Sequence, residues 1–373
     1  MSEWKTYKLG DVVDMRNGKK RPKEAGHFPV YGGNGILDYT NQYNAENVIV
    51  VGRVGAYCGS VYRCKQKCWV SDNAICVTAK PIIDNNFLFY LMSSLDFHHF
   101  HIGGAQPLMT QDIIGSFEIS LPPLTEQKRI ADILSAIDDK IELNRRINVN
   151  LEQQAQALYK SWFVDNKKDD WKEVPLSEVA DFVGGYSYKG NELVESSMTA
   201  MATIKNFERK GGFKVDGFKD IVASNKLKAE HHANLFDILV AHTDLTQNAD
   251  VIGNAEMLLT FDKYSDIIFS MDLVKVLPKQ TFPYKYLLAA LLKNPHFKKH
   301  CMGYVNGTTV LHMSKKALPE YVINLPSAEE IQSMDNAFKA YYLKMAEILQ
   351  ENNSLSTLRD TLLPKLMSGE ITV

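Results

Sequence analysis

No run in this 373-residue chain approaches the roughly 18 consecutive apolar residues that a bilayer requires; the longest, around Tyr286–Leu292, is far too short. The opening Met1-Ser2-Glu3-Trp4-Lys5 lacks the apolar core of a secretory signal, so a cytoplasmic location is expected. Five cysteines, an odd number without a leader, fit reduced thiols rather than a disulfide framework. No phosphate-cradling GxxxxGK(S/T) occurs, which excludes ATP hydrolysis of that kind, and Gly184-Gly185 and Gly211-Gly212 are isolated pairs rather than a nucleotide-binding turn. Charge of one sign is lacking too. Lys+Arg (42) against Asp+Glu (44) leaves −2, which excludes a histone-like polycation but not local basic faces balanced by acidic elements elsewhere.

What the sequence does have is itself, twice. Trp4-Lys5-x3-Leu9-x2-Val12-x-Asp14 returns after a shift of 167 as Trp171-Lys172-x3-Leu176-x2-Val179-x-Asp181. Phe117-x-Ile119-x-Leu121-Pro122 returns after 204 as Tyr321-x-Ile323-x-Leu325-Pro326, so the second unit carries about 37 extra residues between these anchors. Inside them, Asn47-Val48-Ile49-Val50 matches Asp237-Ile238-Leu239-Val240, and Gly104-x3-Leu108 matches Gly307-x3-Leu311. Each unit opens with a mixed part. Strand-like runs (Val48–Val51, Ile75–Thr78) and short helical runs (Phe87–Met92, Tyr286–Leu292) alternate with turns such as Tyr31-Gly32-Gly33-Asn34-Gly35.

A long helix follows each mixed part. Alternate steps of four and three from Ile130 pass through Leu134, Ile137, Ile141, Asn144, Asn148, Leu151, Ala155, Leu158 and Trp162. Moved by 204, the register passes through Met334, Phe338, Tyr341, Met345, Ile348, Asn352, Leu355, Arg359, Leu362 and Leu366. This is the spacing of a coiled-coil seam, and two such rods in one chain pack most simply antiparallel. Thr125 and Ser327 are the expected N-caps, with Glu330 completing a capping box on Ser327. Asn148 and Asn352 are repeat-equivalent seam positions, predicted to lie together and fix the register. The fold class is therefore α+β: two mixed α/β domains joined by two long antiparallel coiled-coil helices in a pseudo-twofold repeat. The boundaries fall at 1–122, 123–166, 167–325 and 326–373.

Catalytic signals are weak. Asn294-Pro295-His296-Phe297 superficially matches an adenine-methyltransferase site but follows a helical run and lacks a second proline. Cys58, Cys64, Cys68 and Cys76 share one parity about a hairpin expected at Lys65-Gln66-Lys67. They lack paired CxxC knuckles and read as buried thiols. His98, His99, His101 and His231, His232 have no carboxylate at ligand spacing, so no catalytic residue and no metal ligand is assigned. Basic loops say more. Arg16–Lys23 holds five positive charges in eight residues, and Lys205–Lys228 holds seven Lys/Arg against three acids. The two rods together carry −3, which would turn DNA toward the globular parts.

The arrangement resembles the specificity subunit of type I restriction–modification systems. The residues that carry the likeness are Trp4-Lys5-x3-Leu9-Gly10-Asp11-Val12, Gly103-Gly104-Ala105-Gln106-Pro107, Leu121-Pro122-Pro123-Leu124-Thr125-Glu126-Gln127, and Leu355-x2-Leu358-Arg359-x2-Leu362-Leu363-Pro364-Lys365-Leu366-Met367-Ser368-Gly369. The second unit departs from the pattern at Ser327-Ala328-Glu329-Glu330. The resemblance implies two target-recognition domains, each binding half of a split double-stranded DNA sequence, with the helices as spacer. It further implies a subunit that is not itself an enzyme. Two modification subunits and the restriction subunits would supply the S-adenosylmethionine, ATP and Mg chemistry. Candidate base readers are Asn34, Arg53, Gln106, Lys189, Asn191, His242, Thr243, Asn306, Thr308 and Thr309; Lys19, Lys20, Arg21 and Lys23 are candidate phosphate contacts. Two rival readings are a separately expressed recognition module of a type II restriction/modification enzyme and a coiled-coil adaptor that binds protein.

Overall fold

The computed structural model describes residues 4–103 and 107–373. Contacts divide the chain into two compact units, Met1–Ile141 with Leu355–Val373, and Glu142–Ser354. Each unit thus contains one mixed domain and a part of both long helices, a different division from the alternation of globe and rod expected from sequence.

The first unit runs β1 (Lys5–Lys8), α1 (Leu9–Val12), β2 (Val13–Asn17), β3 (Phe28–Gly32), β4 (Gly35–Thr40), β5 (Ala45–Gly52), β6 (Val61–Val70), β7 (Ala74–Ala79), α2 (Asn85–Ser94), α3 (Gln111–Ser116), β8 (Glu118–Leu121) and the start of α4 (Leu124–Lys160). Strands β1 and β8 pair antiparallel, and the other six form one sheet in the order β2-β7-β5-β6-β3-β4. Its centre is β5, whose Val48–Val51 run is buried on both faces, as an unbroken apolar strand must be. Residues Lys65–Lys67 do not turn. They lie within the continuous strand β6, where a register irregularity opposite Glu46–Val48 absorbs the extra residue. In consequence Cys64, Cys68 and Cys76 share one buried cluster, while Cys58 lies in another.

The second unit holds the remainder of α4, then β9 (Lys172–Pro175), α5 (Leu176–Val179), β10 (Ala180–Gly184), β11 (Thr199–Ala202), β12 (Lys219–Asp220), β13 (Ile238–Ala241), β14 (Thr243–Asp244), β15 (Ala255–Met257), β16 (Asp266–Phe269), β17 (Leu273–Pro278), α6 (Lys285–Leu292), α7 (Pro295–Met302), β18 (Val305–Asn306), β19 (Leu311–Met313), α8 (Ala317–Glu320), β20 (Val322–Leu325) and most of α9 (Ala328–Met367). Its sheets are β10-β17-β13-β15, β12-β11-β16, β14-β19-β18 and β20-β9. Asn294 caps α7, accepting from the His296 and Phe297 N–H groups with Pro295 at the first helical position, so the Asn-Pro-His-Phe run is a helix start.

The ladders make the internal repeat exact to the residue. Ile49 sits opposite Val77 and Ile238 opposite Val276, with β2 and β10 equally placed on the far side. This pairs Ile49 with Ile238 and corrects the sequence match, which set Val48 against Ile238, by one residue. The residues two places earlier, Asn47 and Phe236, both hold positive φ (49° and 69°), a left-handed conformation rare outside glycine. The glycine match shifts likewise. Gly103 and Gly307 share positive φ, and Met109 and Met313 then donate to the Arg53 and His242 carbonyls.

The long helices meet antiparallel within each unit. In the first, Ile130 and Leu134 on α4 share a core with Leu366 and Met367 on α9, and Arg359 reaches Asp138 at 3.1 Å. Asp138 also accepts from the Tyr90 hydroxyl at 2.6 Å, so the charged seam residue Arg359 has a tethered partner. In the second, Phe338, Tyr342 and Met345 pack with Ala155, and it is Tyr342 rather than the expected Tyr341 that is buried. Asn352 does not meet Asn148. It accepts from Asn144 Nδ2 at 2.9 Å, while Asn148 donates to the Met345 carbonyl at 3.3 Å. Antiparallel helices facing each other at Asn144 and Asn352 place the 204-equivalent residue, Asn148, one turn away. Asn144 Nδ2 also donates to Glu351 at 2.8 Å, so Asn352→Leu removes one of its two bonds and is expected to cost about 1 kcal/mol in a denaturation experiment.

The helix starts differ from each other. Ser327 caps α9 in a capping box with Glu330, as its sequence implies. Thr125 does not cap α4, which begins one residue earlier, so that its first turn bonds to the Pro123 carbonyl. Gln127 of the same motif is buried, accepts from the Asp84 N–H at 2.8 Å and donates to the Pro122 carbonyl at 2.8 Å. Asp84 in turn caps α2. In the second unit Asp335 of α9 caps α6 directly through the Tyr286 and Leu287 N–H groups, both at 2.9 Å.

Candidate nucleic-acid interface

Equivalent strands end at equivalent points. Strand β5 ends at Gly52 and β13 at Ala241, and the next residues are Arg53 and His242. The Arg53 N–H donates to the Asn73 carbonyl at 2.9 Å and its carbonyl accepts from Met109 at 2.8 Å. The His242 N–H donates to the Asp272 carbonyl at 2.8 Å and its carbonyl accepts from Met313 at 2.9 Å. Both peptides are thus held on two sides by the turn into the neighbouring strand and by the segment before the last short helix.

The same end gathers other segments. Gly18 and Gly185 pass so close to Ser71 and Ser270 that an added Cβ would stand 2.0 and 2.1 Å from those carbonyl oxygens, which bars any side chain there. Beyond Gly18 the basic loop begins. Lys19 bonds to the Val70 carbonyl through its N–H, and Lys19, Lys20, Arg21 and Lys23 are all exposed, Arg21 lying 3.5 Å from Asp38. Gly33, beside Asn34 in the β3–β4 turn, packs near the Val54 and Asn73 carbonyls. The candidates Lys19, Asn34 and Arg53 therefore converge around the Ser71–Asn73 turn.

In the second unit His242, Thr243, Asn306, Thr308 and Thr309 converge through β14-β19-β18. Thr243 and Asn306 both pair with His312, and Gln247 donates to the Thr308 carbonyl at 2.9 Å. Asn306, Thr308 and Thr309 are exposed. Thr243 is buried and its hydroxyl is spent on Asp272 at 2.9 Å, so it supports the loop instead of facing solvent. Burial, with His312 and Lys315 adding to it, lowers the His242 pKa, so the imidazole is neutral near pH 7. Lys189 and Asn191 are exposed but lie apart from these strands. Their short turn is tied by the Lys189 N–H to Glu192, which also holds the Tyr186 hydroxyl. Gln106 lies outside the described residues.

The basic segment 205–228 splits. Lys205, Arg209, Lys210 and Lys214 line a cleft of about 700 Å³ whose other wall is Asp244, Leu245 and Thr246; Lys219, Lys226 and Lys228 do not line it. The buried Asp244 builds that wall by accepting from the Thr246 and Val251 N–H groups, both at 2.8 Å. Leu245 at its rim is 68% exposed, and the corresponding loop of the first unit presents Tyr57, 54% exposed. Neither was singled out from sequence. Their signal was an apolar residue three or four places beyond a strand-ending polar one, which only the paired loops make visible.

The histidines close local bonds. His98 Nδ1 meets the Cys58 carbonyl, and His232 Nδ1 meets Asp266 at 2.9 Å. Among the described residues no helix is long and apolar enough to cross a membrane.

Residues 1–153 match the Methylase_S family, described as the type I restriction modification DNA specificity domain. The chain is 26% identical over 375 residues to the type I restriction enzyme HindI specificity subunit of Haemophilus influenzae, covering 80% of this chain and 82% of that one. It is 24% identical to the MjaVIII specificity subunit of Methanocaldococcus jannaschii, covering 100% and 93%. In fold it is similar to the crystal structure of the S subunit of a type I restriction–modification system from M. genitalium, with a TM-score of 0.59 at 18% identity over 98% of this chain and 96% of that one.

Proposed function

We infer, from the membership of this chain in the specificity-subunit family of type I restriction–modification systems, that its two loop clusters are two DNA readers serving one bipartite target. The observation that carries this is the duplication itself: the same strand ends, the same closed glycine contacts and the same doubly held peptides present different side chains in each unit. Helices α4 and α9, of 37 and 40 residues, serve as the spacer between the half-sites. Their duplicated surfaces dock two modification subunits, to which restriction subunits add. This chain supplies recognition and no catalysis, and S-adenosylmethionine, ATP and Mg serve on the partner subunits.

The test is selection from random duplex DNA by the purified protein, with and without a modification subunit. Two short conserved blocks at a fixed separation are expected. The absence of any sequence preference in both conditions would replace this reading with that of a protein-binding adaptor.

A further inference from the structure

The geometry points to Arg53 and His242 as one reading position used twice, Arg53 selecting a guanine in one half-site and His242 a different base in the other. This deepens the reading of the chain as a bipartite DNA reader and rests on it.

Three observations carry it. The two residues are equivalent in the ladders, each following the last paired residue of the central strand, Gly52 opposite Ala74 in one unit and Ala241 opposite Leu273 in the other. Both backbones are fixed by the same two hydrogen bonds, so neither side chain needs its main chain ordered on binding. Each stands beside a positively charged segment, the Lys19–Lys23 loop through the Ser71–Asn73 turn and the Lys205–Lys214 wall through Asp244–Thr246. Backbone-contacting charge next to a rigid base-facing side chain is the division of labour that recognition needs.

The chemistry then separates the two. Guanine shows two acceptors, O6 and N7, in the major groove, and a guanidinium meets both with parallel N–H groups. Arg53 is half-buried, and one long bond, 3.4 Å to the Asp72 carbonyl, steadies its fork. A neutral imidazole has one donor and one acceptor and cannot supply two parallel donors. Equal placement with unequal hydrogen-bonding pattern makes the halves of the target unlike.

The test selects DNA from a random pool with the full chain carrying Arg53→Lys, which keeps the charge and loses the fork, and separately His242→Gln. For Arg53→Lys, preference at one guanine of one half-site should fall about 10–100-fold while the other half-site, the spacer and the salt dependence stay as in the parent. His242→Gln should alter only the opposite half-site. Circular dichroism melting of each variant checks folding; should either fail to fold, Arg53→Gln or His242→Asn replaces it. A folded Arg53 variant whose two half-sites are both unchanged, or both altered, overturns the inference. Failure of the parent protein to yield any split motif would instead overturn the reading of function.

Discussion

Lys293→Met is expected to destabilise the protein by about 3–5 kcal/mol, the range for removing one partner of a buried ion pair. Lys293 follows α6 and lies 2.5 Å from Glu256 and 3.1 Å from Glu152. Glu256 is 4% exposed and also accepts from the Gly212 N–H at 2.6 Å. One ammonium serves two carboxylates, so this cluster is one charge short. Burial works against the ammonium, but the two facing carboxylates hold it charged above its ordinary range. Burial raises the Glu256 carboxyl, and the single shared cation does not bring it back down. Without Lys293 that carboxyl rises further. A carboxyl with a folded pKa above its unfolded one binds its proton more tightly in the native state. Its contribution is present below the unfolded value and is lost as pH rises through the folded one. The deficit of the variant should therefore be larger at pH 8 than at pH 5 in denaturant titrations. An equal deficit at both would place the cost in lost packing of the lysine stem. Adding Glu256→Gln and Glu152→Gln should recover most of the loss.

The second large effect concerns DNA. With Lys19, Lys20, Arg21 and Lys23 all replaced by alanine, the slope of log affinity against log salt should fall by about 3–4, since each phosphate contact contributes about 0.9. Between 50 and 200 mM salt the parent protein would then lose about 100-fold more affinity than the variant. The selected sequence should not change, because phosphate contacts position and do not read. Among single variants Arg21→Ala should move the slope least, since Arg21 is already near Asp38. An unchanged slope in the fourfold variant would remove the loop from the interface.

The repeat anchors were legible in the sequence because they sit where frame residues have little choice: Leu9 and Leu176 are both fully buried, as are Ile119 and Ile323 under their strand pairs. The seam was legible for the same reason, since helical spacing and burial coincide from Ile130 to Asn144. The interior matches slipped by one residue because a run such as Val48–Val51 offers equally apolar letters in either register, and a glycine doublet offers two glycines. Only the hydrogen-bond ladder distinguishes the two. Pairing of Asn352 with Asn144 instead of Asn148 depends on the axial offset of two helices, which no single helix encodes. Thr243 misled for another reason: threonine in a turn reads as a free hydroxyl until its partner, Asp272, is known. Gln127 was legible as part of a motif but its role was not, because that role lies in bonds to Asp84 and Pro122, groups whose proximity is tertiary.

The close contacts at Gly18 and Gly185 bear on how freely the segments around them can change length. Each fixes one end of a loop whose other end is a strand, and the loops beginning at Arg53 and His242 are closed by Gly59 and Gly253, both of positive φ. Ordered closure points leave only chain entropy to vary. Lengthening the loop from the Arg53–Cys58 stretch to the His242–Ile252 stretch costs about 0.5 kcal/mol on logarithmic scaling. A side chain at Gly18 would instead have to displace the Ser71 carbonyl in the turn after β6. Variation is cheap in the segments that meet the target and dear in the points that bound them, so the molecule can acquire a new loop while keeping its frame.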